Sequence, residues 1–375
     1  MKKFFIELHK GLGLLAGLFI TILCLTGAIM IFQEDVRELA YPERYFRPEA
    51  AGRSPLPIAQ IVEQVNNELG AEPIASVEIS ADTTRNYILA PAGKGKPKYY
   101  VDPYSGKIVG KTDPKNSDFF GYALKLHRWL LTSPDSWGKK VTGAATLIFV
   151  FVLISGIVYW WPKSKKQLRA RLSVKTDANR HRLMSDLHAS LGIYCSVLLL
   201  VMALTGLTWS YPWYRSGLYA ILGIETPPEA PKGDKKGEGK GKTKDAPEPF
   251  AWDAAYSAVA SQHSDYKYIR LELGKASVGR PGNYGNVRAA DNYKLDKQTG
   301  AIKSVERYED APEANKARGW IYSLHTGVFG GLFTRILYFV VCLMSASFPI
   351  TGVWLYLRKR SNAQKAEAKR QAKTN

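Results

Sequence analysis

Four stretches of the 375-residue chain contain no Asp, Glu, Lys or Arg: Gly11–Phe32, Val141–Trp161, Ala189–Tyr214 and Ile336–Leu357. The shortest has 21 residues, and about 20 apolar residues carry a helix across a hydrocarbon core. A cleavable leader is the competing reading of the first stretch. Its apolar run is too long for one, and the region after it, Ile29-Met-Ile-Phe-Gln-Glu, lacks a small-x-small cleavage site. The expectation is an α-helical membrane protein with four transmembrane helices.

The second half of the chain echoes the first. His9 is followed at fixed distances by Gly13, Thr26 and Gly27, and His188 at the same distances by Gly192, Thr205 and Gly206. Asp102-Pro-Tyr-Ser105-Gly106 is echoed by Asp296-Lys-Gln-Thr299-Gly300, and Leu126-His127 by Leu324-His325. Such self-similarity speaks to architecture before any local motif does.

Basic residues set the direction of the spans. The segment before the first span, the loop Pro162–Leu187 and the tail Arg358–Asn375 carry +2, +6 and +6 of the net +19. Both termini and the middle loop are therefore expected in the cytoplasm, with the basic balance serving topology and contact with anionic lipid heads rather than nucleic acid. A bacterial inner membrane is the natural setting. Cys24, Cys195 and Cys342 all lie inside spans and read as small packing residues.

The long segments then lie outside. In the first, Ile58–Leu69 has helical periodicity, followed by strand candidates Ala75–Ser80, Tyr87–Pro91, Tyr99–Val101 and Lys107–Val109. In the second, Trp252–Ser261 is the helix, with strands expected at Ile269–Leu273, Asn286–Ala290, Tyr293–Leu295 and Ala301–Val305. The Asp-x-x-Ser/Thr-Gly elements suit tight hairpins. Pro227–Pro249 is Pro, Gly, Lys and Glu with almost nothing apolar, and reads as a disordered tether.

Five of the six histidines lie in or beside the membrane-associated parts, where an ionisable ring is costly and usually functional. The topology makes the repeats parallel, related by a pseudo-two-fold along the membrane normal. His9 and His188 then share one depth near the cytoplasmic face, and His127 and His325 another near the outer face. Each pair is placed to approach one iron from opposite sides. Gly13 and Gly192, one turn past their histidines, leave room for a flat macrocycle. Gly27 and Gly206, with Thr26 and Thr205, lie about 27 Å along the helix from the same histidines, facing a second macrocycle near the outer face. Helix–helix packing by small residues is the alternative for these glycines. Bare zinc or copper would want further Cys, His or carboxylate ligands, and none recurs with the pairs. His181, seven residues before His188, has no counterpart before His9 and reads as a plain cytoplasmic residue; His263 reads as surface. Trp129, Trp320, Tyr322 and Phe329 flank the outer histidines as a haem edge, a substrate cleft or an interfacial aromatic belt. By position, Lys125 and Arg128 suit haem propionates.

These motifs resemble the PepSY-associated transmembrane-helix family and, within it, inner-membrane ferric-siderophore reductases. The resemblance rests on His9-Lys-Gly-Leu-Gly13 with Leu25-Thr-Gly27; on Leu126-His127-Arg128-Trp129-Leu130 with Ser155-Gly156-Ile-Val-Tyr-Trp-Trp161; on His188-Ala-Ser-Leu-Gly192 with Leu204-Thr-Gly206; and on Leu324-His325-Thr326-Gly327 with Ile350-Thr-Gly352-Val-Trp354. It covers essentially the whole chain except 227–249 and the tail. It implies four spans, two α+β PepSY-like periplasmic domains, haem b in the bundle and a role in iron uptake.

The expected organisation is a first span over 1–33, an outer domain over 34–117, a histidine helix and second span over 118–161, a basic loop over 162–187, and a third span over 188–214. A second outer domain over 215–318, a histidine segment and fourth span over 319–357 and a tail over 358–375 complete it. The expected function is electron transfer through two haems, with iron held by His9, His188, His127 and His325, from a separate cytoplasmic or membrane donor to a ferric siderophore outside. A quinol-linked cytochrome b and a non-enzymatic permease or accessory subunit for iron uptake are the alternatives, with an anchored inhibitor or chaperone of periplasmic enzymes behind them.

Overall fold

The structure is a computed structural model that describes residues 2–47, 54–70, 73–93, 95–112, 118–225, 250–282 and 285–374. The disordered tether expected at 227–249 lies outside the described residues. The chain divides into two compact units, one of Met1–Phe32, Tyr122–Gly217 and Leu324–Asn375, the other of Gln33–Gly121 and Leu218–Ser323.

The first unit is helical. Its long helices are α1 (Lys2–Ile31), α6 (Trp137–Trp160), α8 (Arg180–Ser210) and α12 (Gly331–Thr374). All four are long and apolar enough to cross a membrane. A helix satisfies its own backbone groups, which lipid cannot do. Helices α1 and α8 each pack on both α6 and α12, so α1 and α8 lie diagonally in a four-helix ring. Small residues sit at the contacts: Ala16, Gly17 and Ala28 of α1, Gly143 and Ala145 of α6, and Ala203 of α8 are buried. Close backbone approach of this kind is how helices associate without a hydrophobic drive between them. Two shorter helices bring chain into this unit, α5 (Phe119–Trp129) and α11 (Glu313–Thr326). Helix α5 ends in two left-handed non-glycine residues, Leu130 (φ 51°) and Leu131 (φ 63°), a strained turn directly after His127-Arg128-Trp129. The basic helix α7 (Lys165–Leu172) in the cationic loop starts on Ser164, whose side chain accepts from Gln167 N–H.

The second unit holds α2 (Gln33–Ala40), α3 (Pro42–Tyr45), α4 (Ile58–Leu69), the last turn of α9 (Pro212–Ile221), α10 (Trp252–Ala260) and eight strands. These are β1 (Ile74–Ser80), β2 (Tyr87–Pro91), β3 (Tyr99–Val101), β4 (Ile108–Lys111), β5 (Tyr268–Glu272), β6 (Lys275–Gly279), β7 (Ala290–Leu295) and β8 (Ile302–Glu306). They form one antiparallel sheet in the order β4-β3-β2-β1-β5-β6-β7-β8. The segments read from the sequence as two alike domains therefore meet in a single sheet, through β1–β5 pairs such as Val77 with Leu271 and Ile79 with Ile269. They share one core, in which Ile61, Val65, Val77, Leu89, Val101, Val259, Ile269 and Leu271 are fully buried.

Helix α4 shows how closely the segments are joined. Its N-terminal flank, Pro57, offers no side-chain cap. Asp253 of α10 supplies it, accepting from the N–H of Ile58 at 2.6 Å and of Ala59 at 3.1 Å. Of the strand expected at Asn286–Ala290, residues 286–289 form a turn stabilised by Ser323 and Asn286 side chains, and Ala290 opens β7. The strand in its place is β6, which turns out of β5 at Gly274 (φ 79°). Its small residues Ala276 and Ser277 mute the apolar alternation. In the two Asp-x-x-Ser/Thr-Gly hairpins, Asp102 accepts from Tyr104 N–H and Asp296 from Gln298 and Thr299 N–H. Gly106 (φ 69°) and Gly300 (φ 72°) close them, and a Cβ there would collide with Gln64 of α4 or the backbone of Ala255 in α10.

Candidate functional site: two histidine pairs in the helical unit

The histidines of the helical unit meet two by two. His9 of α1 and His188 of α8, from the diagonal helices, have ring centres 6.2 Å apart and planes at 88°. His127 of α5 and His325 of α11 have ring centres 6.3 Å apart and planes at 68°.

Each ring rests on a Ser/Thr-Gly dipeptide of another helix. His9 Nδ1 lies 2.9 Å from Val152 O and 3.4 Å from Ser155 Oγ, and Cε1 lies 3.1 Å from where a Cβ of Gly156 would stand. His188 Nδ1 lies 2.8 Å from Thr351 Oγ1, with Gly352 below the ring. His127 Nδ1 lies 2.9 Å from Thr26 Oγ1 and 3.1 Å from Leu23 O, with Gly27 below the ring. His325 Nδ1 lies 2.9 Å from Met202 O and 3.1 Å from Thr205 Oγ1, with Gly206 below the ring. The missing side chain makes room for the imidazole, and the preceding hydroxyl or carbonyl receives its N–H.

These contacts fix the tautomer. A carbonyl oxygen only accepts, so His9, His127 and His325 carry their proton on Nδ1. Thr351 donates its own hydroxyl proton to Phe348 O, which leaves its oxygen to accept from His188. Thr26, Thr205 and Ser155 likewise donate to Ile22 O, Val201 O and Val152 O of their own helices. All four rings thus donate at Nδ1, and in the neutral form this leaves the Nε2 lone pair free, the state in which histidine binds a metal while its other nitrogen is held. Phe348 packs against His188 and Trp209 against His325, with ring centres 5.7 and 5.0 Å apart. They help hold the ring planes.

The donor set and spacing fit a haem. Two imidazoles bound to opposite sides of one metal at about 2.0–2.1 Å, with about 1.1 Å more to each ring centre, put the centres about 6.3 Å apart. The observed 6.2 and 6.3 Å agree. Among the described residues no cluster of three or more His, Cys, Asp or Glu is placed to hold a metal. On a metal between either pair, a macrocycle's four nitrogens could fill the remaining positions.

The expected packing residues divide. Gly27 and Gly206 were expected to face a macrocycle; what they meet is the Cε1–Nδ1 edge of an imidazole, because Nδ1 is hydrogen-bonded to the helix that seats it. Thr26 and Thr205 contact the histidine Nδ1 atoms. Gly13 and Gly192 have no atom within 4 Å of a built Cβ, so the space beside them is open. Trp129 lies under Arg128, with the guanidinium 4.8 Å from its ring, and Lys125 sits 5.3 Å over Tyr122. Phe329 packs on Tyr338, ring centres 6.0 Å apart. Trp320 and Tyr322 belong to the sheet unit, where Arg288 stacks on Tyr322 at 3.6 Å. The four aromatics therefore form no common cluster within either unit. His181 is exposed beside Trp354, and His263 bonds Tyr293 at 2.6 Å in the sheet unit. Sequence reasoning missed Ser155, Gly156, Thr351 and Gly352 as site residues. The signal was there: each of the four spans carries one Ser/Thr-Gly dipeptide that meets a histidine.

A sequence model of the PepSY-associated TM region matches residues 6–359, nearly the full length and all four histidines. The chain belongs to this family. With its four apolar helices, it is a multi-pass membrane protein. A comparison with curated proteins returns no match. Within the family's matched region, the two histidine pairs are the feature of this chain with the most chemical content.

Proposed function

We propose that this PepSY-associated protein conducts electrons across a bacterial inner membrane, from a separate donor on the cytoplasmic side to a ferric siderophore on the periplasmic side. His9 and His188 would hold one haem b, and His127 and His325 the other. Bound there, a haem would supply a reversible one-electron couple, and two histidines offered to each iron suit electron transfer over oxygen chemistry.

The observation that carries this reading is the repeated geometry of the pairs. The chain's own contribution is to present four Nε2 lone pairs in fixed orientation, to hold Nδ1–H on an acceptor, and to exclude water. The last falls to the apolar clusters around Cys195, Leu199 and Val341, and around Ala16, Ile20 and Cys24. Continuous helices tie the pairs together. Helix α1 carries His9 near one end and the seat of His127 some 17 residues on, a rise of roughly 25 Å. Reduction at the outer face would free the metal, since oxygen-rich chelators hold ferrous iron less tightly than ferric. The basic segments orient both termini and the middle loop toward the cytoplasm, which puts the sheet unit in the periplasm as paired PepSY-like halves. The strand order, identical read from either end, supports an internal two-fold repeat.

Full-length protein purified in detergent is expected to be red, with a Soret band that shifts on dithionite. His9→Ala or His188→Ala should remove one haem and His127→Ala or His325→Ala the other. In liposomes loaded with reductant, the protein should release ferrous iron from an external ferric siderophore, detected with a ferrous-specific dye. Colourless protein from haem-supplemented cells, or loss of one shared haem in all four variants, refutes the reading.

A further inference from the structure

Beside the His9–His188 pair, α6 carries a polar atom with nothing to bind. The indole Nε1–H of Trp160 is shut off from solvent and has no hydrogen-bond partner among the described residues. A buried donor left unsatisfied costs free energy comparable to a lost hydrogen bond, so its place in the fold carries meaning. Trp160 stands four residues after Gly156, one turn on and on the same face of α6. Gly156 is the residue on which His9 lies, 3.1 Å from Cε1 to the position of a built Cβ.

Two cations stand at the same end of α6. Lys2 Nζ donates to Trp161 O at 3.2 Å, and the Arg171 guanidinium donates to the carbonyls of Trp160 and Tyr159. Lys2 is seven residues before His9, two turns back on the same face of α1. An unpaired N–H, an ammonium and a guanidinium next to a metal-ligand pair make a site for a carboxylate, which accepts such bonds strongly.

We propose that the Trp160 indole N–H, with Lys2 beside it, takes a propionate carboxylate of the haem held by His9 and His188. The inference rests on the haem reading above and adds an orientation to it: the carboxylate edge of that cofactor is turned toward Trp160. Trp160 is a binding residue here. It neither ligates iron nor transfers a proton.

Full-length Trp160→Phe keeps an aromatic ring and loses the donor. Detergent-solubilised wild type and variant are each loaded with haem and mixed with excess apomyoglobin, and haem loss is followed in the Soret band. The His127→Ala background isolates the inner site. The expected result is about 10-fold faster loss or more for Trp160→Phe. The same pair is then loaded with haem dimethyl ester, whose propionates carry no charge. If Trp160 serves a carboxylate, wild type and variant differ far less with the ester. Equal loss rates for native haem overturn the proposal. So does an equal handicap with haem and ester, which assigns Trp160 to packing alone. Wild type that binds no haem ends the haem reading itself, whereas a red wild type with an unaltered Trp160→Phe ends only this inference.

Discussion

The glycine seats lead to a graded prediction. A Cβ built on Gly206 stands 3.2 Å from His325 Cε1 and 3.6 Å from Nδ1; one on Gly156 stands 3.1 and 3.3 Å from the same atoms of His9. Built on Gly27 or Gly352 it stands 3.5 Å from the nearest atom of His127 or His188. Carbon atoms pack best at about 3.5–4.0 Å. Gly27→Ala and Gly352→Ala therefore make ordinary contacts. Gly206→Ala and Gly156→Ala push their rings by about 0.3–0.5 Å, beyond the roughly 0.2 Å that metal–ligand distances tolerate. The push also loosens the Nδ1 hydrogen bonds to Met202 O and Val152 O, each 2.9 Å long. Disturbing the support of a ligating histidine typically costs about 10–100-fold in metal affinity, or about 1.4–2.7 kcal/mol.

Stability moves the other way. Alanine in place of glycine in a helix gains up to about 1 kcal/mol. The tight variants should therefore lose haem affinity without losing apoprotein stability. The loose ones should keep affinity within about twofold. The tight–loose contrast falls once in each pair, Gly156 against Gly352 and Gly206 against Gly27, so each pair is its own control. Haem titration of apoprotein in detergent, read in the Soret band, gives the affinities, and low-spin electron paramagnetic resonance shows which pair is disturbed. Equal losses in all four variants, or greater losses for Gly27→Ala and Gly352→Ala, would refute the seating argument.

Hydroxyl removal should rank by what remains at Nδ1. Thr26→Val and Thr205→Val leave the carbonyls of Leu23 and Met202 and should cost under about 10-fold in haem affinity, whereas Thr351→Val strips His188 of its one described Nδ1 partner and should cost about 10–100-fold; a reversed order in the same titration refutes this. Asp253→Ala removes the cap of α4 and should destabilise the sheet unit by about 1–2 kcal/mol, read by hydrogen exchange over Ile58–Leu69, where unchanged protection is the contrary result. Asp291 is nearly inaccessible, and burial opposes its charge. The Tyr308 N–H and the Arg307 and Arg280 guanidiniums outweigh burial and hold its carboxyl below the ordinary 3.8. With the folded value depressed, its stabilisation is full above about pH 4 and is lost as pH falls through the folded value. Asp291→Asn should cost about 2–3 kcal/mol at pH 7, discounting for the partly exposed arginines. It should also flatten the acid limb of the unfolding profile, and a variant as acid-sensitive as the wild type would contradict the assignment.

Local pattern carried much of the fold. The four spans were legible from missing charge, and α4 from apolar residues at Ile58, Ile61, Val62 and Val65, which all end up buried. Strand β6 was not, because Lys275-Ala-Ser-Val-Gly279 offers too little apolar contrast to show a period of two. The pairing of β1 with β5 joins residues nearly 200 positions apart, and no local propensity encodes a partner at that distance. The pairing of histidines was legible from the repeat, while the residues that seat them were only half so. Thr26-Gly27 and Thr205-Gly206 stood out through their constant distance from His9 and His188, but those are not the histidines they seat.

The seating follows a rule that the repeat alone does not reveal. In the first half, α1 gives His9 and seats His127, while α5 and α6 give His127 and seat His9. In the second half, α8 gives His188 and seats His325, and α11 and α12 return the exchange. Seats are thus exchanged within a half, whereas ring-to-ring pairs form only between halves. One half alone would orient two imidazoles and complete neither pair. Each dipeptide lies in the same half of the chain as the histidine it seats. The two pairs stand at opposite ends of the spans, because α1 and α8 each give a histidine at one end and a seat at the other.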